Sequence, residues 1–162
     1  MLSLFWSLSS LFDSVGAVSV LCFLGVLFSL YALKIESTGD PKKRVAKCDV
    51  GENASCTYVL TSKYGHMAKL MFGLDDKSPF NYSNAFYGMI FYFGVYLVRC
   101  TYFINFPGAS FIFLMMATSS VCASLGLAWI LYARLHNLCM ICVFTYTLNM
   151  LLFGSALVHF YD

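Results

Sequence analysis

An all-α membrane protein, a four-transmembrane-helix bundle with one polar loop that carries a short amphipathic half-helix, is what this sequence predicts. Three observations point there. The chain is 60% hydrophobic and only 11% charged, with a mean hydropathy of +0.75, against about 25% charged residues in a soluble domain. Its apolar residues fall into four long runs, each about the length a bilayer requires. Its charges fall mostly into one stretch between the first run and the second. All 162 residues are expected to form a single integral membrane domain. A net charge of +2 without basic clusters interleaved with aromatics excludes a nucleic-acid binder.

The elements follow in order. Residues 1–12 are apolar with interspersed serines and suit the membrane interface. Ser14 to Leu33 is twenty residues without a charge, flanked by Asp13 and Lys34. It is too long for a signal-peptide apolar region and reads as an uncleaved first span, about 14–34. Residues 35–83 form the polar loop. Within it Cys56 to Met71 reads as an amphipathic helix, because Val59, Leu60, Tyr64, Met67, Leu70 and Met71 recur at helical spacing. Asp75-Asp76-Lys77-Ser78-Pro79 is a turn cluster. Asn81, Ser83 and Asn84 are candidate N-caps for a second span over about 84–104. Asn105, Pro107 and Gly108 break the chain before a third span, 109–133, rich in small residues that let helices approach closely. A tight connection at 134–137 leads to the fourth span, 138–160.

The fourth run opens with Cys139-Met140-Ile141-Cys142. Two cysteines three apart share a helix face, and Tyr146 joins that face one turn deeper. A helix start favours a thiolate, and a Cys-x-x-Cys pair adds to that. The pattern therefore fits a redox dithiol, while two cysteines in an apolar segment also serve as small buried hydrophobes. Seven cysteines is an odd number, so at least one stays outside any intramolecular pairing. Cys22, Cys100 and Cys122 fall within spans or at the opposite end and read as packing residues. His66, His136 and His159 are scattered, and Cys-x-x-Cys here lacks a second ligand pair at zinc-like spacing, so no metal site is expected.

Counting crossings brings the cysteines together. The loop leaves span one and enters span two on the same side. Spans two and three cross away and return, so span four begins on the loop's side. Cys48, Cys56, Cys139 and Cys142 then face one compartment, where two dithiols can exchange. Lys34 and the loop hold eight of the ten basic residues, which by the positive-inside rule points to the cytoplasm. Disulfide relays persist in oxidising compartments such as the ER lumen, and the sequons Asn53-Ala54-Ser55 and Asn81-Tyr82-Ser83 also favour that side. The lumenal assignment is the one adopted.

The chain resembles the vitamin K epoxide reductase family. The matching pieces are Ser29-Leu30-Tyr31-Ala32-Leu33, Cys48-Asp49-Val50-Gly51, Ser55-Cys56, Ser83-Asn84 with Gly88, Ile90-Phe91-Tyr92, Leu127-Ala128-Trp129-Ile130-Leu131, and Cys139-x-x-Cys142 with Thr145-Tyr146. They keep the family's order and spacing across nearly the whole chain. The resemblance implies a multi-pass protein of the endoplasmic reticulum membrane, its four helices capped by a half-helix from the lumenal loop and its active site facing the lumen. It implies reduction of vitamin K 2,3-epoxide to the quinone, and of quinone to hydroquinone, with no tightly bound cofactor. It implies that Cys142 attacks the substrate, Cys139 resolves the adduct, Cys56 exchanges with Cys139, and Cys48 takes electrons from a thioredoxin-like lumenal partner. Asn84 and Tyr146 would hydrogen-bond the substrate's oxygens, and Val59, Leu60, Tyr87, Phe91, Leu127, Leu131 and Leu135 would line its pocket. Coumarin-type inhibitors such as warfarin would be further ligands.

The sequence departs from the family pattern at Tyr64, where Trp is usual, and at Leu60 and Tyr87, where Phe is common; the family's basic C-terminal tail has no counterpart before Asp162. These departures bear on which quinone is used, on coumarin sensitivity and on the retention signal.

Chemistry supports the same roles. A flat apolar quinone suits an aromatic pocket between membrane helices. Opening an epoxide requires a thiolate, and oxygen gaining charge requires preplaced donors such as an amide and a phenol. From spacing alone Asn84 is equally a cap of span two, Tyr146 an interfacial anchor, and the apolar residues ordinary helix packing. Two other functions fit the same residues. One is quinone-linked disulfide generation for thioredoxin-like lumenal partners. The other is a non-catalytic four-span scaffold with structural disulfides.

Overall fold

A computed structural model gives the fold, and it describes residues 15–37, 46–49, 51, 54–66, 73, 82–100 and 108–161. The expected interfacial segment 1–12, the turn cluster at 75–79 and the sequon asparagines Asn53 and Asn81 lie outside the described residues. The elements in chain order are α1 (Val15–Ser37), α2 (Cys56–Leu60), a 3-10 turn (Lys63–Gly65), α3 (Asn84–Cys100), α4 (Ala109–Ile130) and α5 (Met140–Tyr161). No strand occurs among the described residues.

Three stretches are long and apolar enough to cross a membrane: Gly16–Ser37, Ala109–Leu135 and Met140–Tyr161. The segment expected as the second span holds the helix α3, 17 residues that end at Cys100; residues 101–107 lie outside the described part. Large apolar side chains such as Phe23, Phe93, Met115 and Trp129 stay exposed on the long helices. That is the pattern of helices whose outer faces meet lipid rather than water. Hydroxyls within α4 turn back on their own helix: Thr118, Ser119, Ser120 and Ser124 each donate to a carbonyl three or four residues earlier. This satisfies them where no water is at hand.

The helices pack around two buried clusters. The first joins Val18 and Cys22 of α1, Tyr92 and Val95 of α3, Phe113 and Ala117 of α4, and Leu152 and Ala156 of α5. Gly25 permits its tightest crossing, because a Cβ there would fall 2.5 Å from the Tyr92 ring. Cys22 is buried in this cluster, as expected of a packing residue; Cys122 is instead exposed, and the Cys100 side chain lies outside the described residues. The second cluster gathers Ala32, Ile35, Ala46, Cys56, Val59, Cys139 and Ile141 at the loop end of the bundle.

The amphipathic helix expected over Cys56 to Met71 takes a different form where it is described. It is a five-residue helix that Ser55 caps by accepting from Tyr58 N–H, followed by the 3-10 turn. The helix stops after Leu60, and Ser62 caps the next turn by accepting Tyr64 N–H, while the Thr61 and Ser62 hydroxyls bond back to the Thr57 and Val59 carbonyls. Residues 67–71 lie outside the described part. At the far end of α4 the last turn widens into a π turn, Leu131–Leu135, and His136 takes the left-handed conformation (φ 46°) that ends it. That turn delivers Cys139 to the start of α5.

Candidate redox site

Cys139 occupies the N-terminal boundary of α5. Its carbonyl accepts Val143 N–H at 3.0 Å, and its Sγ accepts Cys142 N–H at 3.3 Å, as a capping side chain does. The Cys142 thiol donates to the same sulfur, with the two Sγ atoms 2.7 Å apart. Cys139 is fully buried, while Cys142 is partly open. Cys142 reaches the wall of a large cavity and Cys139 sits behind it. The pair can therefore share one proton and one negative charge, and Cys142 is the sulfur that a ligand in the cavity can meet.

The other two cysteines form a disulfide, Cys48–Cys56, with an S–S distance of 2.17 Å. Asp49 ties its loop together. One carboxylate oxygen accepts Ser55 Oγ and Thr57 N–H at 2.9 and 3.0 Å, and the other accepts Thr57 Oγ1 and Ala46 N–H. Burial pushes the Asp49 carboxyl up, but the bonds from Thr57, Ser55 and Ala46 outweigh it and hold it below the usual Asp range. Asn137, in the connection before Cys139, accepts Ser55 N–H at 2.7 Å through its side-chain oxygen. This bond fastens the start of α2 to the chain that leads into the dithiol. Cys56 and Cys139 lie buried in one cluster, with Cys48 and Cys142 packed against it.

The cavity has a volume of 1140 Å³, above the 300–1,000 Å³ typical of small-molecule sites. Every residue expected from the resemblance to bind substrate lines it: Asn84, Tyr146, Val59, Leu60, Tyr87, Phe91, Leu127, Leu131 and Leu135. Most of the wall is apolar, and Phe28 at its edge stacks on Phe144 with ring centroids 5.5 Å apart. Tyr146 hydrogen-bonds the Cys142 thiol, so a phenol stands beside the accessible sulfur.

Asn84 is not the cap of α3. Ser83 is, accepting Phe86 N–H through its hydroxyl and Tyr87 N–H through its carbonyl. The Asn84 amide instead donates to the Tyr64 carbonyl at 2.7 Å, tying the 3-10 segment to the start of α3 at the cavity's edge.

Several lining residues were not anticipated. Ser29, Glu36, Thr145 and Asn149 all reach the cavity. Asn149 joins a polar chain across three helices, accepting from Tyr92 Oη and donating to Ser124 Oγ, each at 2.8 Å. A polar or charged residue inside an apolar run is the signal that marks such positions. For Asn149 that signal stands in the sequence, whereas Glu36 follows Lys34 just past the apolar run.

Known proteins resemble this chain over most of its length. The model of the vitamin K epoxide reductase family matches residues 17–157. "Vitamin K epoxide reductase complex subunit 1" of Mus musculus is 36% identical over 134 residues, 80% of either chain. The protein of the same name in Rattus norvegicus is 35% identical over 133 residues, again 80% of either chain.

Proposed function

The chain belongs to the vitamin K epoxide reductase family, and on that footing we propose that it reduces vitamin K 2,3-epoxide to the quinone and the quinone to hydroquinone. Its class, a multi-pass membrane oxidoreductase of that family's type, carries the coarser part of this reading. The finer part rests on one observation above others. Cys142 stands in the wall of a large, mostly apolar cavity with Cys139 2.7 Å behind it.

In the proposed reaction the Cys142 thiolate attacks the substrate ring and forms a carbon–sulfur bond. Cys139 then attacks Cys142, forming the disulfide and releasing the reduced ring. Two thiols supply two electrons and two protons. Epoxide and dithiol become quinone, water and disulfide; quinone and dithiol become hydroquinone and disulfide. Tyr146, already bonded to the Cys142 thiol, is placed to donate to the oxygen that gains charge near it. Asn84 serves the oxygen at the far end, and the apolar lining holds the rings.

The disulfide formed at Cys139–Cys142 is reopened by Cys56, and Cys48 passes the oxidation to a thioredoxin-like partner. The shared burial of Cys56 and Cys139 supports this order. The proposed setting is the endoplasmic reticulum membrane, with α3 continuing as a fourth span and the disulfide loop in the lumen.

The test is turnover of vitamin K epoxide by microsomes that hold this protein, with dithiothreitol as reductant. Formation of quinone and hydroquinone above the level of control microsomes supports the reading. Faster quinone-dependent oxidation of a thioredoxin-like protein would assign the reverse flow, disulfide generation. Absence of both, with a Cys48–Cys56 bond that resists mild reductant, would leave a scaffold.

A further inference from the structure

Ser29 of α1 behaves unlike the hydroxyls of α4 and α5. Thr118, Ser119, Ser120, Ser124, Thr145 and Thr147 each donate to a carbonyl three or four residues earlier. That is the usual way to satisfy a hydroxyl in a membrane helix. Ser29 is only 3% exposed, yet it makes no hydrogen bond among the described residues. It lines the cavity. A buried hydroxyl kept off its own backbone is costly unless a ligand takes its hydrogen bond.

The position of that hydroxyl is definite. Its Oγ is turned toward α3, where a Cβ on Gly88 would fall 3.1 Å away. Gly88 also lines the cavity, and having no side chain it leaves the hydroxyl uncovered there. It stands one helical turn, about 6 Å, deeper than Asn84. α1 packs mainly along α3, and α4 mainly along α5. Ser29 therefore lines the α1–α3 side of the cavity, and Cys142 and Tyr146 line the α5 side. The donors already assigned have other ties: Tyr146 bonds the Cys142 thiol, and the Asn84 amide donates to the Tyr64 carbonyl.

We infer that the Ser29 hydroxyl donates to the epoxide oxygen of the substrate and stabilises it as the epoxide opens. The inference rests on the epoxide-reductase reading above. The epoxide carries three oxygens and the quinone two, so a site with donors for two ring ketones needs a third donor for the epoxide alone. Displacement at an epoxide carbon proceeds from the face opposite the breaking carbon–oxygen bond. With sulfur arriving from the α5 side, the oxygen is driven toward the α1–α3 side, where Ser29 stands. The carbon–sulfur bond forms, the carbon–oxygen bond breaks, and its electron pair stays on oxygen. The proton that Cys142 gave up ends on that oxygen. Cys139 then attacks the Cys142 sulfur, and the carbon–sulfur pair becomes an enolate that expels the hydroxyl group and closes the ring double bond. With the Cys139 proton the expelled group is water. Ser29 lends a hydrogen bond and keeps its own proton. Quinone reduction breaks no carbon–oxygen bond and gives Ser29 no oxygen to serve.

The experiment compares the parent with Ser29→Ala, Ser29→Thr and Gly88→Ala as full-length proteins in membranes, with dithiothreitol, on vitamin K epoxide and on vitamin K quinone. Ser29→Ala removes one oxygen atom and no packing carbon. The ratio of epoxide to quinone turnover should fall about 10²-fold. The loss should appear in kcat rather than KM, because the bond strengthens as charge develops on oxygen. Epoxide should still shield Cys142 from maleimide as in the parent. Ser29→Thr restores a hydroxyl and should regain part of the ratio. Gly88→Ala puts a methyl against the Ser29 hydroxyl and should shift the ratio in the same direction as Ser29→Ala.

A parent-like ratio in Ser29→Ala overturns the inference, whether both rates hold or both fall together, as does a loss confined to KM. Should Ser29→Ala not accumulate in the membrane, a parent-like ratio in Gly88→Ala overturns it. A parent that reduces neither substrate would sink the reductase reading itself, and one that reduces quinone alone would sink its epoxide half and the role of Ser29 with it. A parent active on both, with variants that keep its ratio, sinks the role of Ser29 alone.

Discussion

The two cysteine pairs meet in one buried cluster yet are held by opposite means. Cys48–Cys56 joins a loop residue to the first residue of the short helix α2, and side chains hold that loop: Asp49 accepts four hydrogen bonds, and Asn137 accepts a fifth from Ser55. Cys139 and Cys142 are held by backbone, the geometry of a helix start, with Cys142 N–H on the Cys139 sulfur. The contrast suits the proposed division of labour. A pair that must exchange with an outside protein has one member, Cys48, in a loop fastened by bonds that can open singly. A pair that must meet a ligand at fixed distance sits on a rigid helix within a cavity wall.

The largest expected effect separates the pairs outright. Cys142→Ala and Cys139→Ala should each abolish epoxide reduction even with dithiothreitol, because a small reductant replaces the loop but not the attacking dithiol. Cys48→Ala and Cys56→Ala should lose activity with a protein reductant and keep part of it with dithiothreitol. Equal losses in all four variants under both reductants would erase the distinction.

Next in size are the groups around the helix pair. Tyr146→Phe keeps the ring and removes the hydroxyl beside Cys142, for an expected loss of about 10²–10³ in turnover. Asn84→Asp should lose turnover on the same scale. It should also unfold at lower temperature than the parent, since an aspartate cannot donate to the Tyr64 carbonyl and Ser83 already caps α3. A stable, fully active Asn84→Asp protein would remove Asn84 from the site.

Smaller again is the link between the regions. Asn137→Ala leaves Ser55 N–H without its acceptor, a cost of about 1–3 kcal/mol for a buried donor. Because the link joins the pairs rather than serving either, turnover driven by a protein reductant should fall. Turnover driven by dithiothreitol should stay near the parent's; a parallel fall in both would mean Asn137 supports the fold and not the exchange.

The smallest effect is on pH. Asp49 titrates lower in the folded loop than in an unfolded chain, so its bonds favour the folded loop fully above the usual Asp range. That contribution is lost as pH falls through the lowered value. Reduction of Cys48–Cys56 by a phosphine, which acts in acid, should therefore quicken below about pH 4. In Asp49→Asn it should be quicker at neutral pH and flatter with pH. A parent and variant with identical pH dependence would show that Asp49 does not hold the loop.

Much of this was legible in the chain itself. Spans one, three and four stand in the sequence because a charge-free run of bilayer length has few alternatives, and the observed bounds of α1, α4 and α5 fall within a few residues of those expected. The place of Cys142 and Tyr146 on one face was equally readable, since helical spacing fixes it. The half-helix was less so: its apolar period runs on past Leu60, while Ser62 starts a new turn by accepting Tyr64 N–H.

What only the tertiary structure decided are the pairings between residues far apart in the chain. Asn84 holds a carbonyl twenty residues back, Asn137 holds Ser55 across 82 residues, and Glu36 meets His66. No local period encodes such contacts, because each depends on how the helices and the loop pack against one another. The sequence by itself determined the membrane helices and the dithiol at a helix start, because both follow from local spacing and from the cost of charge in lipid. The partners that turn those helices into a site were fixed only when the loop folded onto the bundle's end.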